Sequence, residues 1–230
     1  MQWRNSFAAM TASMAACLVT TNAQAQSAFE GFYGQLGAGY QFFNDKSTNA
    51  TFKPTGSSTI RSQSITNATP QGFAGTIALG YNKAITKNYL LGFGAEYNPF
   101  ATNEASRTIT TSAGTSFQGH IKQNSYYNIF ITPTYSFDED KVVYLKAGWS
   151  QSNASNPYIS YNQSGPSFGL GYKQFFSGSW YGFAEANYIV YGNTTYSIQI
   201  PASDTRGSGI SSATNSGNML SGLAGIGYKF

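Results

Sequence analysis

Glu96, Lys146, Lys173 and Glu185 are two acids and two bases, and each stands in a stretch of alternating apolar and small residues where charge is otherwise rare. Such a set can form a buried ion-pair network, or a gate whose alternative pairings open a narrow path. The single histidine, His120, is the candidate for a catalytic base. Hydrolysis would need a nucleophile and an orienting group beside that base. Gln118, Lys122 and Ser125 around His120 form no His-x-Ser pattern, and the neighbouring polar stretches hold no aspartate cluster. The sequence therefore predicts no catalytic residue, no metal ligand set and no cofactor. What remains is to ask which elements position the four charges.

The answer lies in a period of two, the signature of a strand with two unlike faces. Phe32, Leu36, Ala38, Tyr40 and Phe42 share one parity, with Gln35, Gly37, Gly39 and Gln41 on the other. The pattern recurs at Phe73 to Tyr81, Tyr89 to Tyr97, Tyr127 to Tyr135, Val143 to Trp149, Phe168 to Tyr172, Trp180 to Val190 and Leu220 to Phe230, which predicts eight strands. Short connections at residues 82–88, 137–141 and 174–179 alternate with long ones at about 44–70, 99–123, 151–165 and 192–217. Stretches of the long connections such as Arg107 to Gly119 are expected to extend the hairpins, and pairing within the first two would raise the count to ten.

Composition selects the solvent. With 17 Tyr, 17 Phe and 25 Gly against 10% charged residues, the chain is too poor in charge for an ordinary soluble domain. In lipid every backbone amide needs an internal partner, so only helices and closed barrels span. No apolar run after residue 25 reaches the ~20 residues a spanning helix needs. A β-barrel hides its apolar residues on alternate positions, which accounts for a mean hydropathy of only −0.28. The fold class predicted is all-β, an eight-stranded antiparallel up-and-down transmembrane barrel. Aromatic residues near the strand ends, among them Tyr40, Tyr81, Tyr135, Trp149 and Trp180, suit two interfacial girdles. A soluble β-sandwich with the aromatic parity inside is disfavoured by the low charge and by the export signal described next.

At the amino end, one early arginine, an apolar run from Phe7 to Val19 and the small-x-small site Ala23-Gln24-Ala25 read as a secretory signal peptide. Cleavage is expected between Ala25 and Gln26, dividing the chain into a signal at 1–25 and a barrel domain at 26–230. Cys17 is the single cysteine, and Leu18 and Val19 continue the apolar run past it, unlike a lipidation box. Export removes nucleic acid from consideration, although Lys and Arg number 13 against 9 Asp and Glu.

An eight-stranded barrel has an interior just wide enough for side chains to fill. Inward parity offers glycines on several strands, and bulk at Tyr126, Phe130, Tyr181 and Phe183, so large groups should interdigitate with small ones in a largely plugged lumen. The four charges fall on the same inward parity. Confinement makes an unpaired charge costly, so Glu96, Lys146, Lys173 and Glu185 are expected to pair. Paired charge more often locks a core than gates a path.

The segments Phe29-Glu30-Gly31-Phe32-Tyr33-Gly34, Trp180-Tyr181-Gly182-Phe183-Ala184-Glu185-Ala186 and Gly225-Ile226-Gly227-Tyr228-Lys229-Phe230 resemble the small OmpA/OmpX-type and opacity-type porin-family barrels. The resemblance covers essentially the whole mature chain and implies a bacterial outer-membrane location, with periplasmic termini and extracellular long loops. It implies that Ala224, Ile226, Tyr228 and Phe230 form an assembly signal, with the barrel assembly machinery and periplasmic chaperones as partners. With nothing after Phe230, it implies no peptidoglycan-binding domain. The role expected is structural or surface-interactive, as a monomer with an unidentified extracellular ligand. A narrow porin-like channel for ions or small solutes is the alternative, and a lipid A-modifying enzyme a more distant one. Arg61, Arg107 and Arg206 are candidate contacts to lipopolysaccharide phosphates, since charge-assisted pairing favours that excess of cations.

Overall fold

The computed structural model describes residues 27–204 and 207–230, and all regular structure among them is β. The signal segment, with Ala25 and Gln26, lies outside the described residues, as does Arg206. Alternation of apolar and small residues gives ten strands: β1 (Gly31–Pro54), β2 (Arg61–Ile65), β3 (Gln71–Ala84), β4 (Tyr89–Asn98), β5 (Ala105–Thr111), β6 (Ser116–Ser136), β7 (Lys141–Ser155), β8 (Ser160–Ser177), β9 (Trp180–Ile200) and β10 (Gly209–Lys229).

Eight of these, β1, β3, β4, β6, β7, β8, β9 and β10, close a ring through antiparallel ladders, with β10 returning to β1 from Tyr33↔Lys229 onward. Eight strands leave room for side chains and little else. The apolar parity points outward: Leu36, Leu79, Ile129, Leu170 and Ile226 are about half exposed or more. The opposite parity is buried.

Toward the hairpin end, β2 and β5 replace β3 and β4, pairing in the order β1, β2, β5, β6. This is the hairpin extension anticipated around Arg107 to Gly119, and it makes ten strands of an eight-membered ring. The structure corrects the loop assignment at 151–165 and 192–217, where β7, β8, β9 and β10 continue almost to their turns. Serine and threonine pair across those strands, as in Ser197–Ser212 and Thr195–Thr214, so the wall persists without an apolar stripe to reveal it. One seam is open here. The β8–β9 ladder ends at Ser167↔Ile189, and above it the two hairpins face each other without a ladder.

Candidate functional site

The inward side chains form successive layers. At the terminus end Phe29 is buried, its ring 4.2 Å from Phe175 and 6.1 Å from Tyr181. The Asn82 amide holds the Phe29 carbonyl at 3.1 Å, and Lys83 pairs with Glu30 at 2.8 Å, so this segment closes the lower mouth.

The next layer carries the charges. Lys146 Nζ lies 2.9 Å from Glu96 Oε2 and 2.9 Å from Glu185 Oε1, with all three side chains within 2% of full burial. The remaining carboxylate oxygens are also satisfied: Tyr126 OH donates to Glu96 Oε1, Tyr144 OH to Glu185 Oε2, and Asn187 Nδ2 to Glu185 Oε1. The Phe130 ring lies 4.4 Å from the Lys146 ammonium. Lys173 shares the inward face but meets rings in place of a carboxylate, at 4.1 Å from Tyr33, 5.0 Å from Tyr144 and 5.2 Å from Tyr181. A cation over an aromatic face keeps favourable electrostatics without a counter-ion. Of the four charges, three therefore form one ion-pair triad, and the fourth sits in an aromatic cage.

Ring and glycine alternate by register. Tyr33 stands opposite Gly80, Phe130 opposite Gly94, Tyr144 opposite Gly171, Phe183 opposite Gly225 and Tyr181 opposite Gly227. Each of these glycines lies under its ring. Above this level Phe43, Tyr126, Ile189, Tyr191 and Met219 form an apolar layer, every member at most 2% exposed.

A second buried ion pair lies above that layer, in a position parity could have disclosed. Asp45 continues the inward set of Gln41 and Phe43, and Arg107 Nη1 binds its Oδ2 at 3.0 Å. Asn215 and Tyr161 complete the cluster, with Asn215 Nδ2 donating to Tyr161 OH at 2.6 Å. This corrects the reading of Arg107 as a surface contact: its β5 position turns it into the barrel, where Nη1 is held by Asp45 and Ser47. Arg61 is exposed. His120 lies on the outer face with Nδ1 3.4 Å from Ser106 Oγ.

Asp45 stands beyond the apolar belt, whose β1 edge is Phe42. Burial pushes its carboxyl up from 3.8 to about 6, against the pull of the adjacent Arg107 guanidinium. The folded state thus takes up a proton between about pH 4 and about pH 6 that the unfolded chain does not, and stability falls as pH rises through that window. Urea unfolding across it should show this fall in the wild type and a flatter profile in Asp45→Asn.

The outer membrane protein β-barrel domain matches residues 11–230. The chain belongs to this family. Its members are bacterial outer-membrane barrels, and the lipid-facing belt described above is accordingly a membrane belt. Among solved structures, the outer membrane protein OprG from Pseudomonas aeruginosa shares the fold at a TM-score of 0.58 and 13% identity, over 87% of this chain and 96% of that one. The outer membrane protease OmpT from Escherichia coli aligns at 0.49 and 14%, over 91% and 100%. Ail, the attachment invasion locus protein of Yersinia pestis, aligns at 0.36 and 15%, over 86% and 99%. No curated protein sequence matches significantly.

Proposed function

We propose that this outer-membrane barrel is a closed scaffold, with termini in the periplasm and hairpin extensions outside, whose role is structural and surface-interactive and involves no catalysis. The observation that carries the reading is the unbroken filling of the lumen, from Phe29 through the Glu96–Lys146–Glu185 triad and the Phe43–Met219 layer to Asp45 and Arg107. A network whose carboxylate oxygens are all satisfied resists rearrangement, because any new pairing leaves a buried acceptor empty. Wild-type protein in planar bilayers should be electrically silent. Steady single-channel steps that change in Glu96→Gln or Lys146→Gln would overturn the closed scaffold in favour of a narrow channel.

The outward-facing Ala224, Ile226, Tyr228 and Phe230 occupy the closing strand and suit recognition by the barrel assembly machinery after chaperone delivery. The partners in place are lipid and, at the hairpin end, lipopolysaccharide. Its phosphates would meet exposed Lys46, Lys53 and Arg61. Neutralising these three should weaken retention of lipopolysaccharide by the purified monomer, whereas unchanged retention would remove this contact.

A further inference from the structure

Behind the open seam between β8 and β9 lies a cavity of about 80 Å³, walled by Ile65, Ile109, Ile198, Tyr196, Gly119 and Arg107. A water-sized group needs roughly 10–15 Å³ of such space, so the cavity has room for about five to eight of them. Its isoleucines give it no chemical preference, and of the polar residues that also line it, Gln118, Asn156 and Ser211 carry no permanent charge. Arg107 supplies one.

Among the donors of Arg107, Nη1 reaches Asp45 and Ser47 at 3.0 Å each, and Nη2 reaches Tyr196 OH at a long 3.4 Å. Nε is buried without a hydrogen-bond partner. It lies at the Gly119 wall, where a Cβ on that residue would stand 3.7 Å from it. The Nε and Nη2 N–H groups form one edge of the guanidinium, two parallel donors spaced for a planar oxyanion. That edge has an orphaned N–H at one corner and a stretched contact at the other, beside an apolar space.

We propose that this cavity binds a small organic carboxylate of about three to six carbons, held on the Nε/Nη2 edge of Arg107 with its apolar tail against Ile65, Ile109 and Ile198. The site is independent of whether the lumen conducts. An incoming anion would leave the Asp45–Arg107 cluster negative, so binding is coupled to protonation of Asp45. The groups facing that cluster are Ser47 on β1, Tyr161 on β8, Tyr196 on β9 and Asn215 on β10, none of them charged, since burial raises the Tyr161 phenol further. His120, bonded to Ser106, and Tyr158, bonded to Asp204, line the same cavity but make no contact with the Asp45–Arg107 pair. Asp45, raised to about 6 and in direct contact with the guanidinium, is the group that accepts the proton.

Titrating refolded protein in lipid nanodiscs with sodium butyrate, followed by the Arg107 Nε–H resonance, tests this. Saturable binding should tighten about 20-fold from about pH 7.5 to about pH 5.5. Asp45→Asn should bind at about pH 7.5 as tightly as the wild type does at about pH 5.5, with little pH dependence. Ser211→Leu, which fills the cavity without touching the ion pair, should abolish binding. Affinity that ignores pH, that survives Ser211→Leu, or that fails to rise in Asp45→Asn would overturn the proposal, as would the absence of saturation in all three proteins.

Discussion

Replacing Lys146 by methionine is expected to lower the stability of the folded barrel by about 3–5 kcal/mol, the range for removing one member of a buried ion-pair group. Glu96 and Glu185 both rest on this one ammonium, at 2.9 Å each, so its loss leaves two carboxylates facing one another away from water. Lys173 is poorly placed to replace it, since its ammonium lies against the rings of Tyr33, Tyr144 and Tyr181. The triple variant Glu96→Gln, Lys146→Met, Glu185→Gln should recover most of the loss. Amides still accept from Tyr126, Tyr144 and Asn187, and no net charge remains buried. Urea unfolding in lipid vesicles, read by the lipid-facing Trp149 and Trp180, distinguishes the two. A single variant as stable as the wild type, or a triple variant no better than the single, would show that the triad does not hold the lumen.

The inward placement of the four charges was legible in the sequence for a physical reason, though not which three of them pair. A strand period of two assigns every residue a face, and a barrel too narrow for water forces the charges on the inner face to find partners. Parity alone could not separate Lys173 from that group, because what decides its partner is the ring set brought across by register from β1, β7 and β9. The pairing of each lumen ring with a particular glycine was hidden for the same reason. The Asp45–Arg107 pair was missed on different grounds. Beyond Phe42 the outward positions change from apolar to polar, so the contrast that marks a strand in lipid disappears while the inward set continues. Alternation of Arg107 and Ile109 with Thr108 was the remaining signal, and it is weak over so short a strand.

Two glycines on the strands that close the barrel should differ sharply. A Cβ on Gly39 would stand 1.8 Å from the Gly222 carbonyl oxygen, 2.8 Å from its carbonyl carbon and 3.0 Å from Leu223 Cα. All of these atoms are backbone, so no rotamer change can relieve the clash, and β1 and β10 must move apart. Overpacking a core commonly costs 1–3 kcal/mol when side chains can yield, so Gly39→Ala should cost more than about 3 kcal/mol. Gly222 offers the matched control. It faces lipid across the same ladder and has nothing within 4 Å of an added Cβ, so Gly222→Ala should be neutral or stabilise by about 0.5–1 kcal/mol through reduced backbone freedom in the unfolded chain. Heat-modifiable electrophoretic mobility and urea unfolding would register the contrast, and equal behaviour of the two variants would refute the close approach of the strands. The difference should be greatest in refolding yield. β1 and β10 are the most distant strands in sequence, so their ladder closes the longest loop, and a clash there acts on the contact whose entropic cost is largest.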